Sequence, residues 1–106
     1  MSIVEQRSYT LHTQFGPKDY FDIYQAEGFE LQTSALKGFQ GYFITEIGGL
    51  NTIVSLWSYP SFEARAQRRA ALASDPGWQQ FLAKVRPMIK SMTNTLMVPT
   101  PFSPIQ

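Results

Sequence analysis

The chain has 106 residues and a net charge of +1, with 43% apolar, 16% charged and 14% aromatic residues. That length fits one domain with one core, and the apolar share is too high for a disordered chain. The absence of cysteine and the single histidine exclude disulfides, thiolate metal sites and His-rich zinc sites.

Ile3 to His12 reads as a strand rich in β-formers, closed by Gln14-Phe15-Gly16-Pro17. Pro17 suits the first position of a helix running to about Leu36, in which Phe21, Tyr24, Gly28, Leu31 and Ala35 recur at helical spacing. Gly28 on that stripe costs a helix about 1 kcal/mol, so it marks either close helix-sheet packing or a bend. Gly38 is a helix stop. Phe39 to Ile47 and Asn51 to Tyr59 follow as the second and third strands, joined by a hairpin over Gly48-Gly49. Ser61 caps a helix to about Ala73, and Asp75-Pro76 starts another. In that second piece Trp78, Phe81, Leu82, Val85 and Ile89 form an amphipathic stripe, which Pro87 should end or kink. Ser91 to Val98 is the fourth strand.

The order predicts an α+β fold, a ferredoxin-like βαββαβ antiparallel sheet with helices on one face. Residues 1–98 form the domain, and the proline-rich residues 99–106 pack on it as an extended tail. Strand alternation is poor: Ile53, Val54, Leu56 and Trp57, or Tyr42, Phe43 and Ile44, put apolar groups on both faces. A sheet open on one side would alternate cleanly. With charge scarce and aromatics abundant, the expected cover is a second copy of the sheet in a homodimer.

Glu5, Arg7 and Tyr9 share one face of the first strand, because side chains alternate with period two. They are candidates for polarising a bound carbonyl or carboxylate, or for a structural ion pair. Trp57 and Tyr59 share a face of the third strand and could wall a pocket for a flat apolar ligand or simply fill the core. His12, the single histidine, lies at a strand end beside a loop, as a general base or simply an exposed side chain, with no carboxylate at motif spacing. Arg65 and Arg69 stack at i, i+4 beside Arg68, as an anion clamp or as solvated helix-face cations. With no basic stripe, nucleic acid is not an expected partner. No membrane-length apolar run and no secretory pattern is present, so a cytoplasmic location without membrane contact is expected. No metal, haem or flavin is expected.

Several segments in order carry a resemblance. They are Glu5-Gln6-Arg7-Ser8-Tyr9, Gly41-Tyr42-Phe43-Ile44-Thr45-Glu46-Ile47-Gly48, Leu50 to Tyr59, Arg65 to Leu72, Asp75-Pro76-Gly77-Trp78, and the ending Pro99-Thr100-Pro101-Phe102-Ser103-Pro104. Together they resemble the NIPSNAP family, whose members open with an E-x-R-x-Y strand. The resemblance implies a dimeric α/β barrel, two ferredoxin-like sheets facing one another. Such barrels serve cofactor-free monooxygenases, isomerases and haem-handling enzymes, so the fold does not choose a function. His12-Thr13 departs from the Lys-Pro-like pair more usual there. Three readings stay open: a dimer of unestablished role binding a small hydrophobic or aromatic metabolite, a cofactor-independent monooxygenase or isomerase, and a protein-interaction module.

Overall fold

The computed structural model describes residues 2–106. Strand β1 (Ile3–Leu11) leads to α1 (Pro17–Ile23), which passes through a π-helical turn (Tyr24–Gly28) into α2 (Phe29–Leu36). Strands β2 (Phe39–Ile44) and β3 (Thr52–Tyr59) form a hairpin. Helices α3 (Phe62–Ala73) and α4 (Pro76–Val85) follow, then a 3-10 turn (Arg86–Met88) and β4 (Ile89–Met97). The sheet order is β2-β3-β1-β4 with every neighbouring pair antiparallel, the ferredoxin-like arrangement expected.

The helices begin where the caps indicate. Pro17 opens α1, and Asp19 Oδ2 accepts from the Gly16 N–H at 2.8 Å. Ser61 Oγ accepts from the Ala64 N–H at 3.0 Å, and Asp75 Oδ1 from those of Gly77 and Trp78 at 2.7 and 3.2 Å. Each satisfies backbone donors that the first helical turn leaves unpaired. Pro87 ends α4 through the 3-10 turn, so Ile89 joins β4 and not the helical stripe to which its spacing assigned it.

Gly28 resolves the two alternatives for the first long helix. It closes the π-turn, and a Cβ there would stand 3.0 Å from the Tyr24 ring and 3.1 Å from that of Phe81. The close neighbour is thus helix α4, not the sheet. The extra residue in the π-turn rotates α2 relative to α1, a usual consequence of such bulges.

Strand β2 ends at Ile44, three residues short of the expected Ile47. After the Thr45 N–H donates to the Thr52 carbonyl at 3.0 Å, the chain leaves the ladder, and Ile47 is 94% exposed. Gly48 and Asn51 take positive φ to turn the loop back. Strand β4 starts at Ile89, earlier than the expected Ser91, because Leu11 pairs with it across a bulge.

The core lies between the helices and one sheet face. Ile3, Leu11, Ile53, Trp57 and Tyr59 meet Tyr20, Tyr24, Leu36, Leu72, Phe81 and Val85 there, all buried. At the junction of α2 and β2, Gly38 has φ +59 and its carbonyl accepts from the Ser58 N–H at 2.8 Å. A Cβ at Gly38 would fall 2.0 Å from the Ser58 carbonyl oxygen, which is backbone and cannot step aside. Gly38→Ala is therefore expected to cost about 1–3 kcal/mol, read as a lowered urea midpoint. An unchanged midpoint would mean the junction is looser than described.

No helix among the described residues lies over the opposite sheet face. Val4, Gln6, Ser8 and Thr10 of β1 lie beside Val54 and Leu56 of β3, with Phe43 and Met97 on the outer strands. Phe43 is 51% exposed and Met97 38%. Beyond β4, residues 99–106 make a turn in which Ser103 N–H donates to the Thr100 carbonyl at 3.0 Å. The Gln106 amide donates to that same carbonyl at 3.0 Å, and Phe102 projects into solvent.

Candidate functional site

Glu5 sits on the helix-covered face of β1, paired across the ladder with Trp57, and is 0% exposed. A carboxylate removed from water needs compensating donors, and here they come from three elements. Its Oε2 accepts from Arg65 Nη2 at 2.6 Å and Nε at 3.1 Å, and from Arg7 Nη1 at 3.2 Å. Its Oε1 accepts from the Tyr59 hydroxyl at 3.2 Å and lies 3.9 Å from Arg69 Nη1. Arg7 also donates through Nε to the Tyr9 hydroxyl at 3.0 Å.

Strand alternation and the i, i+4 spacing of α3 thus meet at one point. Glu5, Arg7, Tyr9, Tyr59, Arg65 and Arg69 converge, three guanidinia around one carboxylate. The arginines do not play equal parts. Arg65 is taken up by Glu5, whereas Arg68 turns away and donates to the Leu36 carbonyl at 3.2 Å, closing the end of α2. Arg69 Nη1 is buried and has no hydrogen-bond partner among the described residues.

The other candidates lie elsewhere. Trp57 is fully buried, packs its ring 5.0 Å from that of Phe39 and donates its indole N–H to Ser55 Oγ at 2.9 Å. Trp57 and Tyr59 both belong to the buried core cluster. His12 follows the last residue of β1; its backbone N–H donates to the Met88 carbonyl at 2.9 Å, and its imidazole makes no hydrogen bond or ion pair among the described residues.

Two kinds of hollow flank the core. An apolar groove of about 340 Å³ runs along the β2 edge, walled by Phe21, Tyr24, Phe29, Tyr42 and Ile44. A more enclosed cavity of about 110 Å³ lies against β1, with Arg7, Tyr9, Tyr20, Trp78 and Met92 in its walls. An adjoining hollow of about 240 Å³ shares Arg69, Trp78, Leu82 and Arg86 with it. Trp78 and Arg86 belong to this region without having stood out in the sequence. Trp78 read as one member of an apolar stripe, and Arg86 was not singled out.

Burial by itself pushes the Glu5 carboxyl up, but the Arg65 hydrogen bonds and the charges of Arg7 and Arg69 outweigh it, holding the group below its ordinary range. Burial likewise works against the Arg7 charge, and Tyr9 and Glu5 overcome it, raising Arg7. The Tyr59 phenol is pushed up to about 12, by burial first and then by the Glu5 charge.

The lowered carboxyl fixes a pH dependence. Folding favours ionised Glu5, so its stabilisation is complete above the unfolded range near about pH 4.3 and is lost as pH falls through the lower folded value. Urea titrations of wild type and Glu5→Gln should therefore diverge above the ordinary carboxylate range and draw together as the pH falls well below it. A difference independent of pH would show that Glu5 is not held ionised.

The fold and this carboxylate–arginine centre define a ferredoxin-like α+β domain with a basic cavity between sheet and helices. The NIPSNAP pattern matches residues 4–104, and the chain belongs to the NIPSNAP family. It is 29% identical to human NipSnap homolog 2 over 105 residues, covering 99% of this chain and 36% of that protein. A putative NipSnap protein of Caenorhabditis elegans is 31% identical over 81 residues, 76% of this chain and 15% of that one. The chain thus spans a minor part of these curated relatives. Among solved structures, a NIPSNAP family protein of Agrobacterium tumefaciens superposes with a TM-score of 0.96 at 36% identity, covering 100% of both chains. The fold is also shared with SnoaB, a cofactor-independent oxygenase of Streptomyces nogalater, at TM-score 0.64 and 13% identity over 97% of each chain. No helix among the described residues is long and apolar enough to cross a membrane.

Proposed function

We propose that the protein is a homodimer, sheet facing sheet, in which each chain holds a small apolar or aromatic molecule in the cavity between its helices and its sheet. The observation that carries this reading is the enclosed hollow against β1, where Tyr9, Tyr20, Trp78, Leu82 and Met92 surround space that the core does not fill. Small-molecule sites have this character, apolar walls with a few convergent polar groups. The uncovered sheet face with Val54, Leu56 and Phe43 supports the assembly.

The test uses a neutral aromatic, benzamide, followed through the indole resonance of Trp78, one of two tryptophans in the chain. Saturable perturbation of Trp78 but not Trp57 is expected, and its loss in Leu82→Trp, which fills the cavity. An unperturbed Trp78 under benzamide and under an anionic analogue alike would overturn the cavity reading.

A further inference from the structure

The cavity beside Arg69 is more cationic than the ion pairs around Glu5 require. The Glu5 carboxylate offers about four acceptor positions. Arg65 takes two contacts on Oε2, Arg7 takes a third, and the Tyr59 hydroxyl occupies Oε1. Arg69 is left at ion-pair distance, 3.9 Å, with a buried Nη1 that donates to nothing among the described residues. That Nη1 faces the Glu5 carboxylate and is shut off from solvent, while other atoms of Arg69 line the cavity.

Two more guanidinia border the same space. Arg7 uses Nε and Nη1, and its Nη2 makes no hydrogen bond among the described residues. Arg86, at the start of the 3-10 turn, also lines both hollows, and its side chain makes no ion pair or hydrogen bond among those residues. Neither hollow has an Asp or Glu in its walls. The remaining walls are Trp78, Leu82 and, in the enclosed part, Tyr9 and Met92. Three cationic forks therefore meet apolar and aromatic surface, with one carboxylate set behind two of them.

We infer that this cavity takes a small carboxylate with an apolar or aromatic body, the acid group between Arg69 and Arg86 and the body against Trp78 and Leu82. This rests on the cavity proposed above and names the chemical class it selects. Guanidinium forks match a carboxylate in geometry as well as charge. The dimensions suit one ring: a dry hollow of about 150 Å³ admits benzene, and the enclosed part is about 110 Å³ with about 240 Å³ adjoining. Arg65 and Glu5 act behind this site as positioning residues, fixing Arg7 and leaving Arg69 for the ligand.

The experiment titrates benzoate, benzamide and inorganic phosphate into the full chain and follows the Trp78 indole resonance. Benzoate is expected to bind at least about tenfold more tightly than benzamide, since a charge-assisted bidentate contact is worth more than 1.4 kcal/mol. Arg69→Gln and Arg86→Gln should each bring benzoate down to the benzamide level. Should Arg69→Gln not fold, Arg86→Gln alone decides, because the Arg86 side chain has no hydrogen-bond or ion-pair partner among the described residues to lose. Equal affinity for benzoate and benzamide overturns the acid specificity and leaves the neutral cavity standing. Benzoate affinity unchanged in the folded variants, or phosphate displacing benzoate at equal concentration, also overturns it. Perturbation of Trp78 by none of the three overturns the inference and the cavity together.

Discussion

Glu5→Ala is expected to lower the unfolding free energy by about 3–5 kcal/mol, the usual consequence of breaking a buried ionic cluster by removing one sign of charge. The reason is the asymmetry around it. One buried carboxylate answers to Arg7, Arg65 and Arg69, and removing it leaves three partly buried guanidinia facing one another. Arg7→Ala should cost less, about 1.5–3 kcal/mol, because Glu5 keeps the two Arg65 contacts and the Tyr59 hydroxyl. The order of the two effects distinguishes a centre organised by Glu5 from a simple Glu5–Arg7 pair, where the two losses would match. Urea unfolding of both variants at neutral pH measures it, and an unchanged midpoint in Glu5→Ala would contradict the described geometry.

Much of this was legible in the residues, and what escaped shared a physical cause. Period-two alternation in β1 put Glu5, Arg7 and Tyr9 on one face, and the i, i+4 spacing of Arg65 and Arg69 put them on one helix face. Each pattern is local. That both faces would meet at the same carboxylate depends on how α3 crosses the sheet, which no local pattern encodes. Trp57 and Tyr59 were visible as a pair, but periodicity cannot tell a filled core wall from a cavity wall. A cavity lies around Trp78, whose partners come from β1, α1, α2, α3, the 3-10 turn and β4. Ile89 matched the helical stripe of α4 and yet pairs with Leu11, since Pro87 ended the helix first. Gly28 was recognisably costly, but that it closes a π-turn packed closely against Phe81 on α4 is not encoded by any local spacing.

The second large effect concerns the uncovered sheet face. Leu56 lies on β3, a central strand, between Gln6 of β1 and Gly41 of β2. In a dimer formed sheet against sheet, a charge at that point would be desolvated without a partner, and unpaired buried charges typically cost about 3–5 kcal/mol. Leu56→Arg is therefore expected to weaken dimerisation by at least about a hundredfold. The chain itself should stay folded, because Leu56 contributes nothing to the core between helices and sheet. A charge on the far side of the molecule, such as Gln80→Arg on α4, should leave assembly unchanged. Sedimentation equilibrium at micromolar concentration tests the face-to-face assembly most directly. Wild type should sediment as two chains and Leu56→Arg as one, whereas a wild-type chain that stays at 12.0 kDa under those conditions would contradict it.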